Sequence, residues 1–279
     1  MSNAVPPLLT ALVDDAAVFP PGSAPLAEAV PAHANHRRSW YAQLIGPLLL
    51  PLADRGGATS DTEVGLIGEP GALETTLGDL PPGTRQLESP VAKRGEDPRP
   101  GIERLAALMR KSEEPWQWYL EVPLAWGLMS GLDAIAALRA EGLPVAAKFR
   151  TGGLAAELFP SPADLASVIC ACRDRDLPFK LTAGLHHAVR HTDAETGLVH
   201  HGFLNILAAV LGAADGLSPA DLTVILSTTE PMPLAAQVQP HLERERPLWV
   251  GFGSCSVQDP VDDLVALGLL DRPRPEPAR

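Results

Sequence analysis

The chain has 279 residues, 46% of them hydrophobic, and a formal charge of −12. That is enough for one large core, and too acidic over most of the surface to pair with a nucleic-acid backbone. No apolar run approaches the length of about 20 residues that crosses a bilayer, and the start MSNAVPPLLTALVDD lacks a basic signal-peptide opening, so no membrane partner and a cytoplasmic location are expected.

Short apolar runs alternate with amphipathic or alanine-rich stretches, the pattern of a parallel sheet with helical crossovers. Strands are expected at residues 12–18, 47–52, 63–67, 85–88, 118–122, 145–150, 179–183 and 248–252. Helices are expected at 101–111, 130–141, 162–175, 203–214, 219–227 and 261–269. Ser161 before Pro162, with Asp164 in the first turn, opens the third of these. Eight strands fit a closed (β/α)8 TIM barrel as a single domain over residues 1–270. The tail 271–279, in which three prolines alternate with charge, is expected to be disordered. The three cysteines, Cys170, Cys172 and Cys255, are too few for a disulfide framework, and burial in a helix is expected for the first two.

The choice of cations is uneven: of 22 Lys and Arg residues only four are Lys, and two of those, Lys148 and Lys180, lie inside apolar strands. Arginine cannot lose its proton in a protein, whereas a buried lysine can. Alternation along the strand at 145–150 puts Lys148 and Arg150 on one face, just before Gly152 and Gly153. On the next strand Lys180 and Thr182 share a face, followed by Gly184 and His186. Two amines on adjacent strands are expected to meet in one low-dielectric pocket, where repulsion would leave one of them partly neutral and nucleophilic. The alternative is that both extend from strand ends into water.

The pattern Lys148-x-x-Thr151-Gly152 followed by Lys180-x-Thr182-x-Gly184-Leu-His resembles the paired-lysine strands of class I aldolases of the 2-deoxyribose-5-phosphate aldolase type. Asp14 in Leu12-Val-Asp14-Asp15 resembles that family's first strand, and Gly251-Phe-Gly253-Ser254 its last, phosphate-binding turn. The resemblance implies Lys148 as Schiff-base nucleophile, Lys180 as the partner that lowers its pKa, Asp14 as a polar support, and Gly184, Gly253 and Ser254 near a phosphate. Phe149-Arg150 and His186-His187 depart from the family pattern. No middle-strand aspartate is evident for the proton relay, and Glu121 is the substitute candidate.

Five of the eight histidines fall between His186 and His201. His186, at a strand end, is the candidate acid or base. The stretch 187–202 otherwise reads as a mobile lid, and as a metal site the set lacks a helix-spaced pair, so no metal and no cofactor are expected. Gly152, Gly153, Gly184 and Gly253 either admit an anion to backbone N–H groups, with Arg150, Thr182 and Ser254 helping, or simply make tight turns. The expected partner is thus a small, anionic carbonyl substrate. Two rival readings stand: an isomerase or decarboxylase using Lys or His acid–base chemistry, and a non-catalytic anion-binding barrel. Barrels often associate, so a homo-oligomer is compatible with the sequence, which does not specify an interface.

Overall fold

The computed structural model describes residues 5–153 and 155–273. Eight strands, β1 (Val13–Asp15), β2 (Ile45–Pro51), β3 (Val64–Ile67), β4 (Thr84–Pro90), β5 (Gln117–Glu121), β6 (Val145–Arg150), β7 (Phe179–Thr182) and β10 (Trp249–Ser254), pair in parallel and in sequence order, and β10 closes onto β1. With helices interleaved between strands, this is a (β/α)8 TIM barrel. All eight expected strands are present, β6 at its expected bounds and the others shifted at one or both ends by one to three residues. The largest consequence is that Gly253 and Ser254 belong to β10 itself. Residues 274–279 of the tail expected to be disordered lie outside the described residues.

Nine α-helices surround the barrel among the described residues: α1 (Leu26–His36), α2 (Pro70–Thr76), α3 (Arg99–Met109), α4 (Leu128–Ala140), α5 (Pro162–Arg173), α6 (Phe203–Ala214), α7 (Pro219–Ser227), α8 (Pro231–Val238) and α9 (Gln258–Ala266). α1, α2 and α8 escaped the sequence reading. α1 carries Pro31 within it, and α2 and α8 are short and open on proline, so their apolar periodicity is weak. Ser161 caps α5 as expected: its hydroxyl accepts from the Asp164 N–H at 3.1 Å while the Asp164 carboxylate accepts from the Ser161 N–H at 3.1 Å. Ser218 and Asp221 repeat the device at α7. None of the described helices is long and apolar enough to cross a membrane.

The apolar core lies between the outer face of the barrel and these helices. Phe149 on β6 and Phe179 on β7 meet at 6.0 Å, and Phe203 of α6 stacks on Phe252 of β10 at 5.6 Å. α6 is apolar on every side and almost wholly buried, being in contact with α5, α7 and α8 as well as lying against the sheet. Its one polar residue, Asn205, is fully employed: the amide donates to the carbonyls of Ile225 and Thr228 at 2.9 and 2.8 Å, and its oxygen accepts from the Arg190 N–H at 2.9 Å. Cys170 and Cys172 are buried in α5, and all three cysteines are free.

Candidate active site

The inside of the barrel has the opposite chemistry. Cross-strand register runs from Gly65 to Gln86 and on through Glu88 beside Tyr119, Glu121 beside Lys148, Lys148 beside Lys180, and Arg150 beside Thr182. Thr182 is level with Gly253, and Gly253 with Asp14, which completes the ring. Because pleating sends alternate residues to opposite faces, this register turns Asp14, Gln86, Glu88, Glu121, Lys148, Arg150 and Lys180 to the inner face, in successive levels along the barrel.

The two lysines converge, as the sequence reading expected; Lys148 is 2% exposed and Lys180 1%. A carboxylate stands between them. Glu88, fully buried, ion-pairs with Lys148 at 2.6 Å and accepts from Lys180 at 2.5 Å. Lys148 also reaches Glu121 at 2.9 Å, and Glu121 accepts from the Arg150 guanidinium at 3.3 Å. Lys180 donates to Asp14 as well, and lies 4.7 Å from the centre of the Tyr119 ring. Gln86 ties the carboxylates together, its amide donating to Asp14 at 2.9 Å and to Glu88 at 3.0 Å. Three carboxylates thus face three cations.

The expected neutral lysine is corrected by this arrangement. Burial works against the charge of Lys148, but Glu88 and Glu121 outweigh it and hold its pKa above the usual lysine value. Burial likewise opposes the charge of Lys180, and Asp14 and Glu88 raise its pKa. The acids respond in kind. Burial alone would push the Glu88 carboxyl up, yet the two ammonium groups bring it down to about 2. For Glu121 too, burial is outweighed, by Lys148 and Arg150, and the pKa falls. Asp14 is the exception: burial raises its pKa despite Lys180 and Gln86. Lysine–lysine repulsion does not set the resting state because a carboxylate fills the space between the amines.

A cavity of about 530 Å³ opens at the carboxyl ends of β5 and β6, the end of the barrel where enzymes of this fold carry their sites. Glu121 and Arg150 form part of its wall, so it is one carboxylate away from the Lys148 amine.

The remaining candidates lie apart from the amines. Gly152 and Gly184 let the β6 and β7 loops touch: a Cβ on Gly152 would stand 3.0 Å from the Gly184 Cα, and Gly184 has φ +78°. The hydroxyl of the intervening Thr151 donates to the Ala183 carbonyl at 2.7 Å. Gly153 packs on Leu158, and Gly253 on Leu49. These glycines therefore serve close packing. Ser254 is 2% exposed, and its hydroxyl is spent on its own turn, donating to the Ser256 carbonyl at 2.7 Å and accepting from the Ser256 N–H at 3.3 Å. It alternates with Gly253, so its side chain faces away from the barrel interior.

His186 makes no hydrogen bond to the lysine network; its ring lies 3.6 Å from the Cys255 sulfur. The stretch read as a lid contains a short antiparallel hairpin, β8 (His191–Thr192) and β9 (Val199–His200), in which His191 stacks on His200 at 5.3 Å. His201 is buried: Nε2 donates to the Pro160 carbonyl at 2.8 Å, and burial pushes its pKa down to about 4. Among the described residues, no three His, Cys, Asp or Glu side chains gather as metal ligands.

Sequence reasoning missed Gln86, Glu88 and Tyr119. The signal was weak: Gln86 and Glu88 stand at i and i+2, but β4 reads Thr-Arg-Gln-Leu-Glu-Ser-Pro, so they lack the apolar surroundings that singled out Lys148. Glu88 on β4 is a middle-strand acid in contact with both lysines, and Glu121 on β5 lies at the other side of Lys148. No protein-family model and no curated protein matches the chain.

Proposed function

We propose that the chain is a lyase of the class I aldolase type, in which Lys148 forms a Schiff base with a small carbonyl substrate entering through the cavity above β5 and β6. The observation that carries this reading is a buried lysine held between two carboxylates, one of which, Glu121, also faces the cavity. At rest the charged pair is the favoured form, with the Lys148 pKa raised and those of Glu88 and Glu121 lowered, so proton transfer requires substrate to change the surroundings of Glu121. When substrate displaces solvent at Glu121, that carboxylate loses stabilisation of its charge, and the Lys148 ammonium passes it a proton. The freed lone pair then forms a C–N bond to the carbonyl carbon as the carbonyl π pair moves to oxygen. That oxygen takes one proton from the attacking nitrogen and one from the carboxyl that received the lysine proton, and leaves as water, giving the iminium.

A neighbouring carboxylate next removes the proton of the substrate's β-hydroxyl. The carbon–carbon bond electrons flow into the iminium, releasing one carbonyl fragment and leaving an enamine. Protonation of the enamine and hydrolysis by water restore Lys148. Lys180, shared between Glu88 and Asp14, compensates whichever carboxylate remains charged.

Borohydride reduction in the presence of small aldehydes and ketones tests the covalent step. We expect a mass adduct on Lys148, absent in Lys148→Met, and a loss of turnover by about 10²–10⁴-fold in Glu121→Gln, which keeps the shape but cannot take a proton. If no adduct forms on Lys148 or Lys180, the Schiff-base mechanism is wrong. The position of Glu121 in the cavity wall favours one other reading, an isomerase or decarboxylase that moves a substrate proton without a covalent intermediate. Solvent deuterium appearing in recovered substrate, with no trapped adduct, would select it.

A further inference from the structure

Of the 17 residues around the cavity at β5 and β6, the larger part is apolar, with Leu124, Leu128 and Met129 on one wall and Leu158, Phe159 and Val168 on the other. Its charged side chains are Arg94 and Arg150 against Glu121, Glu157 and Asp164. Two guanidinium groups opposed by three carboxylates leave no positive surplus for a phosphate dianion, and Arg150 is already paired with Glu121. Asp164 is engaged at the start of α5 by Ser161. Of the residues expected near a phosphate, Gly253 is packed on Leu49, Gly184 on the Thr151–Gly152 backbone, and the Ser254 hydroxyl is bonded to Ser256. Apolar surface continues outward from the cavity: Met129 is 45% exposed, and Trp126, one residue past the lining residue Ala125, is 70% exposed. An exposed Trp and Met beside a concave apolar wall is the arrangement of a ligand site.

We infer that the substrate is an unphosphorylated aldehyde or ketone with an apolar body, aryl or branched alkyl, seated between Leu124, Leu128, Leu158 and Phe159. Its carbonyl reaches past Glu121 to Lys148. This inference rests on the Schiff-base reading for its carbonyl end only; the apolar seat stands independently of it.

The test separates the two. Binding of 3-phenylpropan-1-ol, which has the apolar body and no carbonyl, is followed by ligand-observed NMR on the wild-type chain and on Met129→Glu, a change at the first turn of α4 where an acidic residue suits the helix end. In parallel, borohydride trapping compares 3-phenylpropanal, propanal and glyceraldehyde 3-phosphate, with the exposed Lys93 and Lys111 as internal references for unselective labelling. We expect the alcohol to bind and Met129→Glu to weaken it at least about fivefold, and Lys148 to be labelled at about tenfold lower concentration of 3-phenylpropanal than of propanal. Preferential labelling by the sugar phosphate, or failure of the alcohol to bind, overturns the inference. If the alcohol binds and Met129→Glu weakens it while no aldehyde labels Lys148, the apolar seat stands and the Schiff-base reading fails.

Discussion

The two faces of the same barrel strands obey opposite rules. On β6, Ala147 and Phe149 turn outward into an apolar layer, while Lys148 and Arg150 turn inward to carboxylates. The outer layer gains from every buried methylene. The inner layer has to remove six charged groups from water to varying degrees. Desolvation costs several kcal/mol per fully buried ion, a cost that attraction inside the barrel returns only when the geometry is good. Stability alone would favour apolar residues in both places. The contrast therefore assigns the two faces different work: the outer face holds the fold, and the inner face holds an arrangement of protons.

Removing one partner from the inner face should have the largest effect. Glu88→Gln leaves Lys148 and Lys180 facing each other with a neutral amide between them, and should cost about 3–5 kcal/mol in urea unfolding. The outer-face counterpart, Phe203→Ala, should cost a similar amount, about 3–5 kcal/mol, by opening a cavity beneath α6. The two are distinguished by chemistry: Glu88→Gln should change the pH dependence of trapping at Lys148, and Phe203→Ala should not. If both behave alike in trapping, the division of work between the faces is wrong.

Acid should dissolve the two regions by different groups but in the same direction. Glu88 has its carboxyl depressed to about 2, so its contribution is complete above the usual carboxylate range and is lost as pH falls from there through about 2. His201, outside the barrel, is held neutral by burial with its pKa lowered to about 4. An unfolded histidine takes up its proton near pH 6.5, so between there and about 4 the unfolded chain binds more protons and stability falls as pH falls. Replacing His201 with Gln, which keeps an N–H for Pro160, should flatten the unfolding free energy between pH 6.5 and 4, a change of about 3 kcal/mol across the window. It should leave the steeper loss below that range intact. A curve that keeps its slope between pH 6.5 and 4 would remove His201 from the account.

The order of strands, their approximate positions and the meeting of Lys148 with Lys180 were legible in the sequence because each depends on local alternation and on neighbours in chain order. What filled the space between the amines was not. Glu88 precedes Lys148 by 60 residues, and only barrel closure, a property of all eight strands together, brings β4 within reach of both β6 and β7. The protonation state followed the same logic: repulsion between two lysines is a pairwise argument, and it failed once a third group entered. The end of β10 differs from its expected place for a smaller reason. β10 runs two residues further than its apolar pattern suggests, so residues read as a phosphate-binding turn are strand, and alternation sends the serine outward.

The interior also depends on residues with no side chain at all. Gly65 on β3 faces inward beside Gln86, and a Cβ there would stand 2.6 Å from both the Gln86 side chain and the Leu49 side chain. The missing Cβ is thus the seat of the Gln86 amide that donates to Asp14 and Glu88. Gly65→Ala should push Gln86 aside, with Leu49 buried on the other side of the new methyl. Overpacking of this kind costs about 1–3 kcal/mol, the smallest effect considered. Its sharper signature is electrostatic. With the amide displaced, Asp14 loses a donor to its charged form, so its already raised pKa should rise further. A carboxyl infrared band for protonated Asp14, assigned by its loss in the Asp14→Asn background, should then persist to higher pH in Gly65→Ala than in the wild type. An unchanged titration would mean that Gln86 fills space between strands without holding the proton arrangement of the inner face.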